Sequence, residues 1–154
     1  MQDRVRLSRF VSVGRSPPGI AELVWMQRHG IRAVLDLRTP LDRADPLSSD
    51  AEAQAAAARG LSYASLPTAT TELNDEMLDR FGAVLKSLPK PVLVHCSSGR
   101  RAGMFALTHV ALEQGVPGQS MLEMARRLDV IYGDSHLQGG FAGYIDRRHQ
   151  PPAR

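Results

Sequence analysis

Cys96 is the only cysteine in the chain and stands in the stretch PVLVHCSSGRRAG, residues 91–103. It ends an apolar run and precedes two serines, a glycine and two arginines. A thiolate is a nucleophile suited to covalent catalysis, and helix N-termini and nearby cations favour it. A guanidinium fork grips two oxygens of a tetrahedral oxyanion. Gly99 permits a tight turn. Ser97 and Ser98 are too small to fill the hollow such a turn encloses, and its backbone N–H groups can converge on an anion. The chemistry implied is nucleophilic attack on an oxyanion. Taken alone, a lone cysteine reads as a small buried hydrophobe. The order strand, cysteine, glycine, arginines, helix sets the reactive reading apart from that one.

The elements that must position this loop follow from periodicity. Residues 19–30 read as a helix closed by Gly30, and IRAVLDLR, 31–38, as a strand. SDAEAQAAAARG, 49–60, reads as a helix with Ser49 as its cap, and LSYASLP, 61–67, as a short strand. Between 74 and 88 the apolar positions Met77, Leu78, Phe81, Val84, Leu85 and Leu88 share one helical face. Pro89 and Pro91 stop that helix, and VLVH follows as a strand. An earlier strand is expected over Phe10 to Val13. Helices are expected over 104–115, over 120–128 behind a Ser120 and Glu123 capping box, and over 135–148.

This alternation predicts an α/β fold, a three-layer sandwich with a central, mostly parallel sheet flanked by helices. The unbroken apolar runs VLDL and VLV suit central strands covered on both faces. Cys96 is then expected in a loop between a buried strand and a helix, at the sheet edge where open α/β sheets bind ligands. A single domain over 1–150 with a loose tail at 151–154 is the expectation for this length.

Composition narrows the function. The 154 residues are 43% hydrophobic and 23% charged, with a net charge of +3. One cysteine permits no internal disulfide, and no apolar run reaches the ~20 residues of a membrane span. A cytoplasmic location is expected. The arginines are scattered and aromatics make up 5% of the chain, so neither a nucleic-acid nor a membrane partner is expected. The histidines 29, 109, 136 and 149 show no ligand spacing, so neither metal nor cofactor is expected.

VHCSSGRRAG resembles the signature of the cysteine-dependent tyrosine and dual-specificity phosphatases, His-Cys-x-x-Gly-x-x-Arg-Ser/Thr-Gly. VLDLR before a helix and YASLP are similar to the upstream part of the same superfamily. The resemblance is nearest to its atypical bacterial, eukaryotic-like subgroup, related to the beta-lactamase-hydrolase-like phosphatase domain, and spans roughly residues 5 to 115. It implies a phosphate-binding loop of Ser97, Ser98, Gly99, Arg100, Arg101 and Ala102, with Cys96 as nucleophile and His95 orienting the loop; Asp36 and Arg38, from their own place, read as the end of a strand and a brace for neighbouring loops. The substrate class it implies is a phosphorylated protein, including phosphotyrosine, or a small phosphate ester. The usual spacing would place the arginine at Ala102. Here four residues separate Cys96 from Arg101, a loop length that the atypical subgroup resembles, so the phosphate-gripping role passes to Arg101. Ala102 then stands where the family has a hydroxyl that stabilises the departing thiolate. The usual leaving-group acid has no aspartate between Thr68 and Thr71, which leaves Glu72 and Asp75 as acids, with Asp42 and Asp45 also within reach of the site.

Two other readings share these residues. The short loop is also that of rhodanese-like sulfurtransferases, in which Cys96 would carry a persulfide. A third reading is a phosphate-binding module without turnover.

Overall fold

The computed structural model describes residues 3–71 and 73–149. The strands are β1 (Arg4–Arg6), β2 (Val11–Gly14), β3 (Ala33–Asp36), β4 (Ser62–Ser65) and β5 (Val92–His95). The helices are α1 (Ile20–Arg28), α2 (Ser49–Ala57), α3 (Asp75–Ser87), α4 (Arg100–Glu113), α5 (Gly118–Arg127) and α6 (Ser135–His149). The strand order is β1-β2-β5-β3-β4. Only β1 is antiparallel to its neighbour. This is the expected α/β sandwich with a mostly parallel sheet.

Alternation along the strands splits the core in two. Val11, Val13, Ala33, Leu35, Val92 and Val94 face α3, α4, α5 and α6. Val34 and Leu93 face α1 and α2, with Leu23, Met26 and Ala56. Helix α4 carries nine buried residues, among them Phe105, Leu107 and Val110. It is the central helix that its all-round apolar sequence predicts. Among the described residues no helix is long and apolar enough to cross a membrane.

Several boundaries differ from expectation. Strand β1 has no counterpart in the sequence reading, because three residues with two arginines carry little β signal. Phe10 lies outside β2 and is half exposed. The cap of α2 is Ser48, which accepts from the Ala51 N–H, while the Ser49 hydroxyl donates to Asp36. Helix α5 begins at Gly118 behind Pro117, so Ser120 and Glu123 lie inside it and form no capping box. Helix α6 forms in spite of its glycines. Gly118 explains part of this, since a Cβ there would lie 2.3 Å from the Ala142 carbonyl oxygen, so α5 and α6 pack backbone to backbone. Most important for the site, α4 starts at Arg100 and not near Met104. Arg100, Arg101 and Ala102 therefore belong to its first turn.

Candidate active site

Strand β5 delivers Cys96 to the C-terminal edge of the sheet, between β2 and β3. Ser97, Ser98 and Gly99 make the turn into α4. Gly99 is the N-cap, at φ +85°, and a Cβ there would sit 2.8 Å from Arg15 Cα and 2.9 Å from the Gly14 carbonyl oxygen. Both the left-handed backbone and the close approach to the end of β2 require glycine.

Cys96 is 1% exposed. Burial alone suits an inert spacer, but its partner does not. The Ala102 N–H, unpaired within the helix because it lies in the first turn, points at Cys96 Sγ at 3.3 Å. The sulfur sits at the positive end of the α4 dipole with a backbone N–H directed at it. Ala102 thus contributes through its main chain at the position where its side chain lacks a hydroxyl.

Arg101 lies in the same first turn, with its side chain 13% exposed. Its Nη2 donates to Asp42 Oδ2 at 2.9 Å. Its Nε is buried and, among the described residues, is the one buried side-chain nitrogen or oxygen without a hydrogen-bond partner. Asp42 also accepts from the Ser97 hydroxyl at 2.7 Å and from the Thr39 N–H at 2.7 Å. Partial burial works to raise the Asp42 pKa, but Thr39, Ser97 and Arg101 hold it below the ordinary value. Asp42 therefore ties the loop after β3 to the cysteine loop as a carboxylate. Arg100 is half exposed and faces Asp129 at 3.7 Å.

Beneath the loop lies a buried polar network on the α2 side of the sheet. Arg38 Nη2 donates to Asp36 Oδ2 and Glu52 Oε1, both at 3.0 Å. Asp36 also accepts from Tyr63 at 2.7 Å and from Ser49 at 2.8 Å. His95 Nε2 donates to Glu52 Oε2 at 2.6 Å. Burial acts to raise the Asp36 pKa, but the bonds from Arg38, the charge of His95 and the Tyr63 hydroxyl bring it down to about 2. Tyr63 is pushed up, by burial first and then by its bond to Asp36. Asp36, Glu52 and His95 place ligand atoms within 4.8 Å of one another. Arg38 already bridges the two carboxylates there, so the donors are committed to a cation of the chain itself.

The structure thus brings together Cys96, Ser97, Arg101, Ala102, Asp42 and the support group Asp36, Arg38 and His95. It does not bring Asp75 to them. Asp75 accepts from Arg147 at 2.6 Å and faces Arg148 at 3.9 Å, both on α6. Glu72 lies outside the described residues. Asp45 pairs with Arg43 at 3.8 Å on the surface. Glu52 was missed from the sequence, where it reads as one acid in an alanine-rich helix. Its one signal there is a carboxylate three and four residues before Ala55 and Ala56, on the buried face of α2.

The family described as "Beta-lactamase hydrolase-like protein, phosphatase-like domain" matches residues 11–113. The chain is 33% identical over 94 residues to the beta-lactamase hydrolase-like protein of Xylella fastidiosa, across 60% of this chain and 22% of that protein. It therefore spans about a fifth of the length of that relative. The fold is similar to Tk-PTP in its active form, with a TM-score of 0.76 and 20% identity, over 96% of this chain and 98% of that one. It is also similar to a cysteine-to-serine variant of P. aeruginosa TpbA in complex with phosphotyrosine, with a TM-score of 0.72 and 20% identity, over 96% and 88%. With the loop, the sheet and the match over two thirds of its residues in agreement, the chain belongs to the phosphatase-like domain family of beta-lactamase hydrolase-like proteins.

Proposed function

We propose that the chain hydrolyses phosphate monoesters through a cysteinyl-phosphate on Cys96. The observation that carries this reading is the open, buried Nε of Arg101 in the same helical turn as the Ala102 N–H that points at Cys96 Sγ. A phosphate dianion offers an oxygen to that Nε and further oxygens to loop N–H groups. The thiolate attacks phosphorus, forming the S–P bond as the ester P–O bond breaks. The leaving oxygen takes a proton. Water then attacks phosphorus, the S–P bond breaks, inorganic phosphate departs and the thiolate returns. Donors fixed in place before the reaction supply most of the transition-state stabilisation. The Ala102 N–H serves the departing sulfur in the second step.

Glu72 is the proton donor in this proposal, because Asp75 is committed to Arg147 and Arg148. The TpbA structure contains phosphotyrosine, and an aryl phosphate is the substrate class we assign here.

The test is hydrolysis of p-nitrophenyl phosphate between pH 5 and 8 by the protein and its Cys96→Ser variant. We expect metal-independent release blocked by vanadate, with no turnover in Cys96→Ser and retained vanadate binding. Glu72→Gln should slow alkyl phosphates far more than p-nitrophenyl phosphate, whose leaving group needs little protonation. Formation of thiocyanate from thiosulfate and cyanide without phosphate release would overturn the proposal in favour of sulfur transfer, which the four-residue spacing from Cys96 to Arg101 also accommodates.

A further inference from the structure

Strand β1 places two arginines on one face of the sheet edge. Arg4 and Arg6 are two residues apart, so both point to the α1 side, while Val5 packs into the opposite core. They line a cavity of about 220 Å³ together with Arg9, Ser12, Trp25 and His29. Ile31 and Pro91, the remaining lining residues, precede β3 and β5. The cavity therefore reaches the end of the sheet away from Cys96, while the Arg4 backbone pairs with Gly14 towards the opposite end. Pro91 stands five positions before Cys96, roughly 16 Å along an extended strand.

No carboxylate lines this cavity, and among the described residues Arg4, Arg6 and Arg9 have no acidic partner within 4.0 Å. The fold holds the group in place nonetheless. Arg4 Nη1 donates to Ser12 Oγ at 3.3 Å and its guanidinium lies 5.0 Å from the Trp25 ring. His29 also stacks on Trp25, 4.1 Å from its ring centre, and its Nδ1 donates to the Trp25 carbonyl oxygen at 2.8 Å. The Arg4 and Arg6 guanidinium groups share one side of this hollow and repel each other unless an anion joins them, while Arg9 lies over the Phe10 ring at its rim. The crowding shows in Arg4, whose pKa is lowered, first by burial and then by Arg6.

We propose that Arg4, Arg6 and Arg9 form a second anion site, for a phosphate-class oxyanion, separate from the cysteine loop. The shared chemistry is a tetrahedral oxyanion. It arrives either as free phosphate or as a second phosphate group on a phosphorylated substrate. The site stands independently of the catalytic reading, since none of its residues touches the cysteine loop.

Trp25 is the only tryptophan of the chain, so its fluorescence reports on this cavity alone. The experiment titrates the whole protein with inorganic phosphate and with sulfate, against chloride at equal ionic strength. We expect a saturable change in Trp25 fluorescence that persists in Arg101→Ala. It should be lost, or weakened at least tenfold in affinity, in Arg4→Gln/Arg6→Gln. Arg9→Gln, in an exposed turn, gives a fold-safe second variant with a smaller loss. No saturable change, a change equal in the double variant, or one abolished by Arg101→Ala would overturn the site. A peptide carrying two phosphates separates the sources. If its KM rises severalfold in Arg4→Gln/Arg6→Gln while that of p-nitrophenyl phosphate holds, the anion belongs to the substrate. If both KM values hold while the Trp25 response to phosphate is lost, the ligand is free phosphate.

Discussion

Asp42 is the carboxylate that holds Arg101 Nη2 and the Ser97 hydroxyl together. Its pKa, lowered by Thr39, Ser97 and Arg101 against the effect of burial, keeps it charged at neutral pH. A charged group that fixes the guanidinium through Nη2 leaves Nε without a partner of its own, which is a positioning role. Asp42→Asn keeps the shape and removes the charge. A hydrogen bond to a charged group contributes about 1.5–3 kcal/mol, so kcat/KM for p-nitrophenyl phosphate should fall at least ~10-fold. A rise in kcat/KM would instead show that Asp42 competes with substrate for Arg101. Gly99→Ala tests the turn itself. The left-handed backbone costs an alanine about 1–2 kcal/mol, and the added Cβ meets backbone, not a side chain that can swing away. Thermal unfolding should shift down and vanadate affinity should drop with it. An unchanged affinity would mean that the loop tolerates a different conformation at Gly99.

Among the elements, α4 and the ends of β2 and α5 determine where the loop sits. Arg15 follows β2 and donates to the carbonyl oxygens of Leu128 at 2.6 Å and Asp129 at 3.0 Å, at the C-terminal end of α5. Its Cα is also the surface on which Gly99 rests. A cation on the last carbonyls of a helix stabilises it by up to ~1 kcal/mol at a partly exposed site. Arg15→Ala should lower stability by about that much, read as a denaturation midpoint, while Arg15→Lys restores part of it. No loss in Arg15→Ala would place the clamp in the backbone alone. The helix–strand alternation was readable because buried parallel strands are continuous apolar runs and α3 has one apolar face. The start of α4 was not. Its first turn is two arginines and two small residues, so apolar periodicity begins only at Met104, while the backbone N–H groups that matter belong to the unpatterned turn before it. Strand β1 escaped for a similar reason, because an edge strand of three residues is held by pairing with β2 and not by its own pattern.

For the whole molecule, the loop rests on charges buried between sheet and helix, and this makes stability depend on pH. Asp36, Arg38, Glu52 and His95 are each at most 3% exposed. They come from β3, the residues just after it, α2 and β5, so their meeting is a property of the assembled fold. That is why Asp36 and Arg38 could be read as braces from their place after an apolar run, whereas Glu52 could not. Its partners lie 14 residues earlier and 43 later. Removing one partner of such a network strands a buried charge, at about 3–5 kcal/mol. Glu52→Ala should therefore unfold the protein far more readily than an exposed acid-to-alanine change. Asp36 adds a pH signature. Its carboxyl moves from an ordinary value of 3.8 to about 2 on folding, so the folded state binds its proton less readily than the unfolded one. The stabilisation is complete above pH 4, amounts to about 2 kcal/mol, and is lost as pH falls from about 4 to about 2. Denaturant unfolding followed from pH 7 to pH 2 should show stability falling across that window. In Asp36→Asn the fall should be shallower, from a lower stability at pH 7. An Asp36→Asn protein with the parent's acid profile would assign the fall to other carboxylates and leave Asp36 a neutral member of the network.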